Sequence, residues 1–301
     1  MDLDTSLLHQ TGMMMEILPH GASYWVGDGF PVRNLFPSNG LGNARLSPFL
    51  LLDYAGPARF EPSEKPRGVE VHPHRGFETV TIAYQGSVAH RDSSGASGVI
   101  RPGDVQWMTA ASGVVHEEMH DPEFSRAGGD FEMIQLWVNL PKADKMSPPK
   151  YQTLESSKIP VLPFGAQGFL RVIAGDYEGN QGAATTFTPV GVYDVELQAG
   201  DQDTLTLNPA YNTMLFLRSG EVTLNGEQKF AGEAMLALVP RGVSEVKIEA
   251  GKASKFVVLT GEPIDEPVAQ HGPFVMNTRE ELVQAFRDFQ SGKMGQLPTK
   301  G

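Results

Sequence analysis

Short runs of apolar and β-branched residues, separated by turns that contain glycine, recur along most of this chain. Runs of this length and composition are typical of β-strands, and the clearest are Phe77–Tyr84, Phe131–Val138, Thr213–Leu217, Glu221–Leu224 and Lys255–Leu259. Asn225-Gly226 is a strong signal for a two-residue hairpin turn. Short strands at this close spacing predict an all-β barrel or sandwich.

This pattern stops near the middle of the chain. Residues 141–163 contain five prolines with charged residues between them, namely Pro141, Pro148, Pro149, Pro160 and Pro163. Because proline cannot donate a hydrogen bond to a β-ladder, we predict that this segment is a linker crossing the surface and that it contains no strand. The linker separates two halves of similar size.

The two halves share a weak glycine pattern that indicates an internal repeat. It matches Gly86, Gly103 and Gly113 in the first half to Gly220, Gly232 and Gly242 in the second. The last two glycines are 10 residues apart in both halves, and the first interval is 17 residues in one half and 12 in the other. This pattern predicts duplicated β-barrels.

One helix is expected near the end of the chain. Thr278 and Glu281 have the spacing of a capping box, in which each side chain bonds to the backbone of the other residue. Leu282, Phe286 and Phe289 follow at i, i+4 and i+7, so one face of the helix is apolar and should pack on the body.

Composition and charge narrow the possible functions. The 301 residues suffice for one large domain or two, and the absence of cysteine excludes disulfides, thiolate metal sites and cysteine nucleophiles. The formal net charge of −12 argues against nucleic-acid binding. Because the chain shows neither a basic signal peptide nor an apolar run long enough to span a membrane, we expect a soluble cytoplasmic protein.

The histidines are unevenly distributed, since seven of the eight lie before residue 121. His72 and His74 are two residues apart, as are His116 and Glu118, and alternate residues of a strand point to the same face. If the two segments lie close together in one barrel, three imidazoles and one carboxylate converge. Such a set suits a divalent first-row transition metal and leaves about two coordination positions open.

Other residues compete for this site. Glu78 lies four positions after His74, so strand parity makes it an alternative ligand or a hydrogen-bond acceptor for an imidazole. His90 lies near a polar turn, and either a surface position or a role in supporting the ligands is expected. His120 lies where its strand should end, and Arg75 should pair with a carboxylate. We expect His9 and His20 to be solvated, and His271 is far from the cluster in sequence.

Several segments of the chain together resemble a known family. The segments His72–Val80, Pro102–Ala110 and Gly113–Glu118 closely resemble the pirin family of the cupin superfamily. Further similar segments, Pro48–Asp53, Leu136–Pro141 and Gly272–Asn277, extend the resemblance over about residues 20–295. The resemblance implies a bicupin of two antiparallel β-barrels with a C-terminal helix crossing back. It also implies one metal, usually iron, held by His72, His74, His116 and Glu118 in the first barrel.

The expected organisation follows from the resemblance. It comprises an extension or disordered segment over residues 1–15, a metal-binding cupin barrel over 16–145 and a Pro-rich linker over 146–163. A second barrel covers 164–265, and a C-terminal segment covers 266–301 with a helix at about 279–291. Matching the glycines puts Glu245 and Lys247 at the positions of His116 and Glu118, and Thr206 and Asn208 at those of His72 and His74. We therefore predict that the second barrel binds no metal.

The resemblance implies a function, because some members of the family are similar to quercetin 2,3-dioxygenases. The expected substrates are a flavonol-like aromatic compound and O2, with Glu118 or Glu78 accepting the phenolic proton. Iron is expected, and manganese, nickel, cobalt, copper and zinc remain open. The alternative is a redox-sensing iron protein that regulates protein partners without turnover. In neither case is contact with DNA or a membrane expected.

Overall fold

Strands joined by tight turns account for most of residues 14–36 and 43–297, the part of the chain that the computed structural model describes. We call the jelly roll built mainly by the first half the first barrel. Its strands, numbered in chain order, are β2 (Ser23–Val26), β3 (Phe30–Phe36), β4 (Phe49–Phe60), β5 (Gly68–His74), β6 (Phe77–Gln85), β7 (Val88–Asp92), β8 (Ser97–Ile100), β9 (Val105–Thr109), β10 (Val114–His120), β11 (Gly129–Asn139) and β12 (Lys150–Leu154).

The second barrel is built mainly by the second half. Its strands are β1 (Glu16–Pro19), β13 (Val161–Pro163), β14 (Phe169–Ala174), β17 (Val190–Leu197), β18 (Gln202–Thr206), β19 (Asn212–Leu224), β20 (Gln228–Val239), β21 (Glu245–Ala250) and β22 (Ser254–Gly261). Two small hairpins are β15 (Asp176–Tyr177) with β16 (Asn180–Gln181), and β23 (Ala269–His271) with β24 (Phe274–Met276). The helices are α1 (Asn43–Leu46), α2 (Pro122–Ala127), α3 (Arg279–Gln290) and a 3-10 turn at Ser156–Lys158.

The two barrels repeat the same sheet. The strand order is β12-β9-β6-β11-β4-β3-β2 in the first barrel and β1-β20-β19-β22-β17-β14-β13 in the second. The opposite layer is β5-β10-β7-β8 in the first barrel and contains the β18–β21 ladder in the second. The fold is therefore a pair of antiparallel cupin-type jelly rolls, as predicted, although their sheets are open rather than fully closed.

The two large sheets pack against each other through a shared apolar core. Val80 and Ile82 on β6 lie in the same buried cluster as Met214 and Phe216 on β19. A buried ion pair crosses the same interface, with Arg218 Nη2 lying 2.7 Å from Glu132 Oε1. Because one core serves both halves, burial of apolar surface fixes the barrels relative to each other.

The Pro-rich segment differs from its prediction, because it contains the strands β12 and β13. β12 pairs with β9 of the first barrel, and β13 pairs with β14 of the second. Both are edge strands, where a missing donor can face away from the ladder. The prolines stand before each strand or at its end, so they cost few ladder hydrogen bonds, and the prediction of no strand was wrong.

The beginning of the described chain belongs to the second barrel. β1 pairs with β20 in a register that places Glu16 opposite Leu238. Met15 is buried there, and its backbone exchanges hydrogen bonds with the Gln228 side chain. Residues 1–13, which include His9, lie outside the described residues, so the expected extension stays a prediction for them.

The C-terminal segment crosses back to the first barrel. α3 begins with the predicted capping box, in which Thr278 and Glu281 bond to each other's backbone. The helix buries Leu282 and Ala285, whereas Phe289 stays 38% exposed. Asp288 on this helix accepts a hydrogen bond from Arg75 Nη1 at 2.9 Å, which confirms the expected carboxylate partner of that arginine.

Local signals in the sequence agree with the structure at the turns. Asn225 and Gly226 adopt positive φ angles of 53° and 72° in the turn from β19 to β20, so the predicted hairpin is present, although its loop has three residues rather than two because Leu224 pairs with Gln228. Within residues 14–36 and 43–297, none of the helices has the length and apolar character needed to cross a membrane.

Candidate metal centre

Two paired strands bring the histidines together. β5 and β10 are antiparallel neighbours in which His116 lies opposite His72. The ring centroids of His72, His74 and His116 are 4.3–4.8 Å apart, and their ligand nitrogens lie within 4.8 Å of one another. Nitrogen ligands at about 2.1 Å from one metal can be at most about 4.2 Å apart, so three donor nitrogens this close together are candidates for binding a single metal.

The hydrogen bonds of the first two imidazoles fix their tautomers. Nδ1 of His72 lies 2.8 Å from the Glu70 carbonyl oxygen, and Nδ1 of His74 lies 3.4 Å from that of Pro273. A carbonyl oxygen only accepts, so each Nδ1 carries the proton and each Nε2 keeps its lone pair. This arrangement, with Nδ1–H on a backbone carbonyl, is the usual support of a metal-binding histidine.

A chain of buried side chains orients the third imidazole. His90 donates from Nε2 to Asp92 Oδ2 at 3.1 Å, so its Nδ1 must be an acceptor. His116 Nδ1, at 3.3 Å from that atom, therefore donates to it and leaves His116 Nε2 unprotonated. Burial raises the pKa of Asp92, but hydrogen bonds from His90 and Ser94 outweigh it and lower the pKa overall. Of the two positions expected for His90, the surface position is wrong, because the ring is buried against His116.

The cluster is suited to a metal for two reasons. Nε2 of His116 is buried and has no hydrogen-bond partner in the described part of the chain, an arrangement that is costly unless a ligand occupies it. Burial, together with the neighbouring imidazoles, lowers the pKa of His74 and His116 well below the usual value. Both rings are therefore neutral, which is the form that binds metals.

Glu118 lies on the same strand as His116 and faces the same space. Its carboxylate, His90 and His116 form a second group of donor atoms within 4.8 Å of one another. Thr81 Oγ1 lies 3.3 Å from Glu118 Oε1 and 2.7 Å from Gln135 Oε1, so its single hydrogen is shared between them. His116 belongs to both groups, so Glu118 lies next to the histidine cluster on its His90 side, and its binding to the same metal as His72 and His74 stays a prediction.

Glu78 does not join this cluster, and the parity argument that placed it there was wrong. The chain turns at Gly76, whose φ is 89°, so the alternation of β5 does not continue into β6. Glu78 shares its face of β6 with Val80 and Ile82, which pack towards the second barrel. Its carboxyl accepts a hydrogen bond from Thr109 at 2.7 Å, and burial raises its pKa to about 7.

The other candidate histidines take no part in the cluster. His120 is buried among Phe30, Phe60 and Phe131 and donates from Nε2 to the Gly29 carbonyl oxygen at 2.9 Å. His20 is half-buried in the connection between β1 and β2. His271 is exposed, and its ring contacts that of Phe286. His120 is therefore a structural core residue.

A cavity of about 250 Å³ opens beside the cluster. His72, His74 and Glu118 line one side of it. The remaining walls are mostly apolar, and they are formed by Val26, Phe30, Val32, Leu51, Val69, Met133 and Trp137. This volume lies close to the lower end of the range of about 300–1,000 Å³ for small-molecule sites.

A row of polar side chains crosses the large sheet of the first barrel on the face that borders the cavity, which we call the floor. The sequence analysis missed this row. The cross-strand register joins Gln106 to Thr81, Thr81 to Gln135, Gln135 to Asp53 and Asp53 to Asn34. Asp53, for example, stands in the otherwise apolar run Phe49–Tyr54. A polar residue inside an apolar strand is the signal that could have found them.

The second barrel keeps the strand pairing but not the histidines. Thr206 on β18 lies opposite Glu245 on β21, as His72 lies opposite His116. This register agrees with the match drawn from the glycines, of which Gly113 and Gly242 both have positive φ angles, 124° and 92°. The expectation that this barrel binds no metal stays a prediction.

Two cupin jelly rolls, one of which has a histidine-rich donor cluster beside a cavity, define a bicupin with one divalent metal ion. The family models Pirin and Pirin C-terminal cupin domain match residues 29–138 and 192–295. The chain belongs to the pirin family.

Named relatives are similar over most of the chain. A Pseudomonas aeruginosa protein named provisionally as a quercetin 2,3-dioxygenase is 54% identical over 272 residues, which cover 90% of this chain and 94% of the relative. Human pirin is 39% identical over 254 residues, 83% of each chain. The crystal structure of a quercetin 2,3-dioxygenase from Acinetobacter baumannii superposes with a TM-score of 0.90 at 49% identity and covers 94% of this chain and 99% of that one.

Proposed function

We propose that this protein is a metal-dependent dioxygenase that opens the heterocycle of quercetin-type flavonols with O2. The observation that carries the proposal is the clustering of three imidazoles, with a carboxylate beside them, next to a mostly apolar cavity. The relatives named for quercetin 2,3-dioxygenase activity support it, because they are similar over nearly the whole chain.

The proposed ligands are His72, His74, His116 and Glu118. The set contains only nitrogen and oxygen donors, which suits iron, our first choice, as well as manganese, cobalt, nickel, copper or zinc. The bound metal supplies a Lewis-acid centre with open positions for substrate oxygens. The Nδ1–H bonds of His72 and His74 and the Asp92–His90–His116 chain hold the rings in place before any metal arrives.

Glu118 is also the proposed base. A flavonol hydroxyl that enters the cavity next to the imidazoles meets this carboxylate, which can accept the phenolic proton. The Thr81 hydroxyl donates to Oε1 of Glu118, so Oε2 stays available to accept the proton. Trp137, Leu51 and Val69 line the cavity and keep water from the reacting end of the substrate.

The decisive experiment follows the loss of quercetin absorbance with and without O2. Protein reconstituted in turn with Fe, Mn, Co, Ni, Cu and Zn is compared with the His74→Ala variant and with a variant of the core histidine, His120→Gln. We expect oxygen-dependent turnover with at least one metal, loss of turnover in His74→Ala, and retained turnover in His120→Gln. Absence of turnover with every metal and several flavonols would contradict the proposal.

That negative outcome would leave the alternative of a redox-sensing iron protein that regulates protein partners. Partners captured by the Fe(II) and Fe(III) forms would then differ, whereas identical partners would count against it. We further propose a cytoplasmic location, which the cysteine-free composition supports.

A further inference from the structure

A buried carboxylate lines the cavity in addition to Glu118. Asp53 on β4 is only 6% exposed. Asn34 Nδ2 donates to its Oδ1 at 2.6 Å, and the Tyr24 hydroxyl donates to its Oδ2 at 3.1 Å. No lysine, arginine or histidine of the described residues forms an ion pair with it. Two neutral donors therefore carry the whole stabilisation of this carboxyl group.

This environment leaves Asp53 with unused capacity to accept hydrogen bonds. A carboxylate offers about four lone-pair sites, and a buried one is costly unless they are filled. Burial raises the pKa of Asp53, although the hydrogen bonds from Asn34 and Tyr24 oppose the rise. A donor hydroxyl on a bound molecule would add a further hydrogen bond from the cavity.

The distance from Asp53 to the metal ligands follows from the sheet. Thr81, Gln135 and Asp53 stand in register on the adjacent strands β6, β11 and β4. Neighbouring strands are about 4.8 Å apart, so Asp53 lies about 10 Å across the floor from the residue that holds Glu118. Gln135, in between, accepts from Thr81 through Oε1; its amide Nε2 has no partner among the described residues.

The space between Glu118 and Asp53 is a slot with apolar sides. Leu51 and Trp137 line it on one side of the polar row, and Val32 and Met133 line it on the other. From one end of the slot to the other, Glu118 of the opposite sheet presents an acceptor, the Gln135 amide of the row a donor, and Asp53 a second acceptor. A planar polyphenol with hydroxyls at both ends matches this sequence of groups.

We infer that Asp53 determines the specificity of the site by accepting a hydroxyl of the substrate ring that lies farthest from the metal ligands. The inference rests on the proposed function and names the substrate class more narrowly: flavonols that carry an outer-ring hydroxyl in addition to the pair beside the metal. Tyr24, half-exposed on the edge strand β2, occupies part of this acceptor site at the mouth of the cavity.

The test measures equilibrium binding without turnover. Calorimetry under anaerobic conditions uses protein loaded with Fe(II) and two probes: quercetin, which has outer-ring hydroxyls, and 3-hydroxyflavone, which lacks them. We expect wild-type protein to prefer quercetin. Asp53→Asn should weaken quercetin binding by about 10- to 100-fold, the usual effect of losing a hydrogen bond to a charged group, and should change 3-hydroxyflavone binding by less than about twofold.

Two further variants control the test. Asp130→Asn, at an exposed carboxylate paired with Arg59, should bind both probes as wild type does. Tyr24→Phe, at a half-exposed position that tolerates the change, removes one donor from Asp53 and should keep or increase the preference for quercetin. Metal content, measured on every variant, should stay unchanged.

The outcomes separate the two proposals. Wild-type protein without a preference, equal losses for both probes in Asp53→Asn, or a preference lost in Tyr24→Phe would each overturn the inference. Binding of neither probe to wild type would overturn it as well. If the preference depends on Asp53 but no metal supports turnover, the dioxygenase proposal fails and the inference about Asp53 stands.

Discussion

The floors of the two barrels have the same backbone and opposite chemistry. In the first barrel, a cross-strand row reads Gln106, Thr81, Gln135, Asp53 and Asn34. In the second barrel, a row on the equivalent strands reads Ala237, Leu215, Val258, Tyr193 and Val172. The members of the second row all lie in one buried apolar cluster.

This difference shows how the duplicated fold divides its tasks. Apolar side chains that fill a barrel contribute burial energy, whereas a polar row with a cavity above it gives up some of that energy to hold a ligand. The floor of the second barrel therefore adds burial energy, whereas the floor of the first barrel borders the cavity.

Among the changes that test this contrast between the barrels, removal of a proposed metal ligand should have the largest effect. His116→Ala removes the imidazole whose buried Nε2 lacks a partner, and metal affinity should fall by more than about 100-fold, because loss of a supporting residue alone costs roughly 10–100-fold. Elemental analysis should then show the metal content falling from one per chain to nearly none.

The matched control for this experiment is Glu245→Ala, because Glu245 pairs with Thr206 as His116 pairs with His72. This variant should keep one metal per chain. A metal content that drops in Glu245→Ala, or that stays at one in His116→Ala, would contradict the assignment of the site to the first barrel.

A smaller effect is expected on the stability of the metal-free protein. Leu215→Ala opens a cavity in the apolar row and should lower the free energy of unfolding by about 2–5 kcal/mol. Thr81→Ala removes only a shared hydroxyl and should cost about 1 kcal/mol. Denaturant unfolding in the presence of a chelator measures both, and a larger loss for Thr81→Ala would refute the division of tasks.

The smallest effect concerns Glu78 and pH. Its pKa is about 7 in the folded protein against 4.5 for the ordinary side chain, so the folded state binds the proton more tightly than the unfolded state does. The free energy of unfolding should therefore fall as pH rises from about 4.5 to about 7, by roughly 3 kcal/mol at most. Glu78→Gln should flatten this part of the pH profile, and an unchanged slope would contradict the interpretation.

The sequence predicted those features that depend on neighbours along the chain. The strand composition of Phe77–Tyr84, the Asn225-Gly226 turn and the Thr278–Glu281 capping box are local, and the structure contains all three. The approach of His72 to His116 could be expected because each lies in a local motif of alternate donor residues, and the family resemblance placed both motifs in one barrel.

Features that depend on tertiary contacts were beyond the sequence analysis. The parity of Glu78 failed at the Gly76 turn, and the strands β12 and β13 form only because a sheet edge is available to each. Asp53 reaches the cavity through its register with Gln135, which no single strand reveals.

The second barrel contains the early strand β1 and the first barrel is contacted by the late helix α3, which has a consequence for synthesis of the chain. Glu16 is translated early, yet it pairs with Leu238 in β20, which leaves the ribosome long after the whole first barrel. Conversely, α3, near the end of the chain, supplies Asp288 to Arg75 of the first barrel. Although domains usually fold one after another during translation, neither half of this protein is finished until nearly the whole chain is made. We therefore expect that the two halves, expressed separately after division at residues 141–163, do not fold independently.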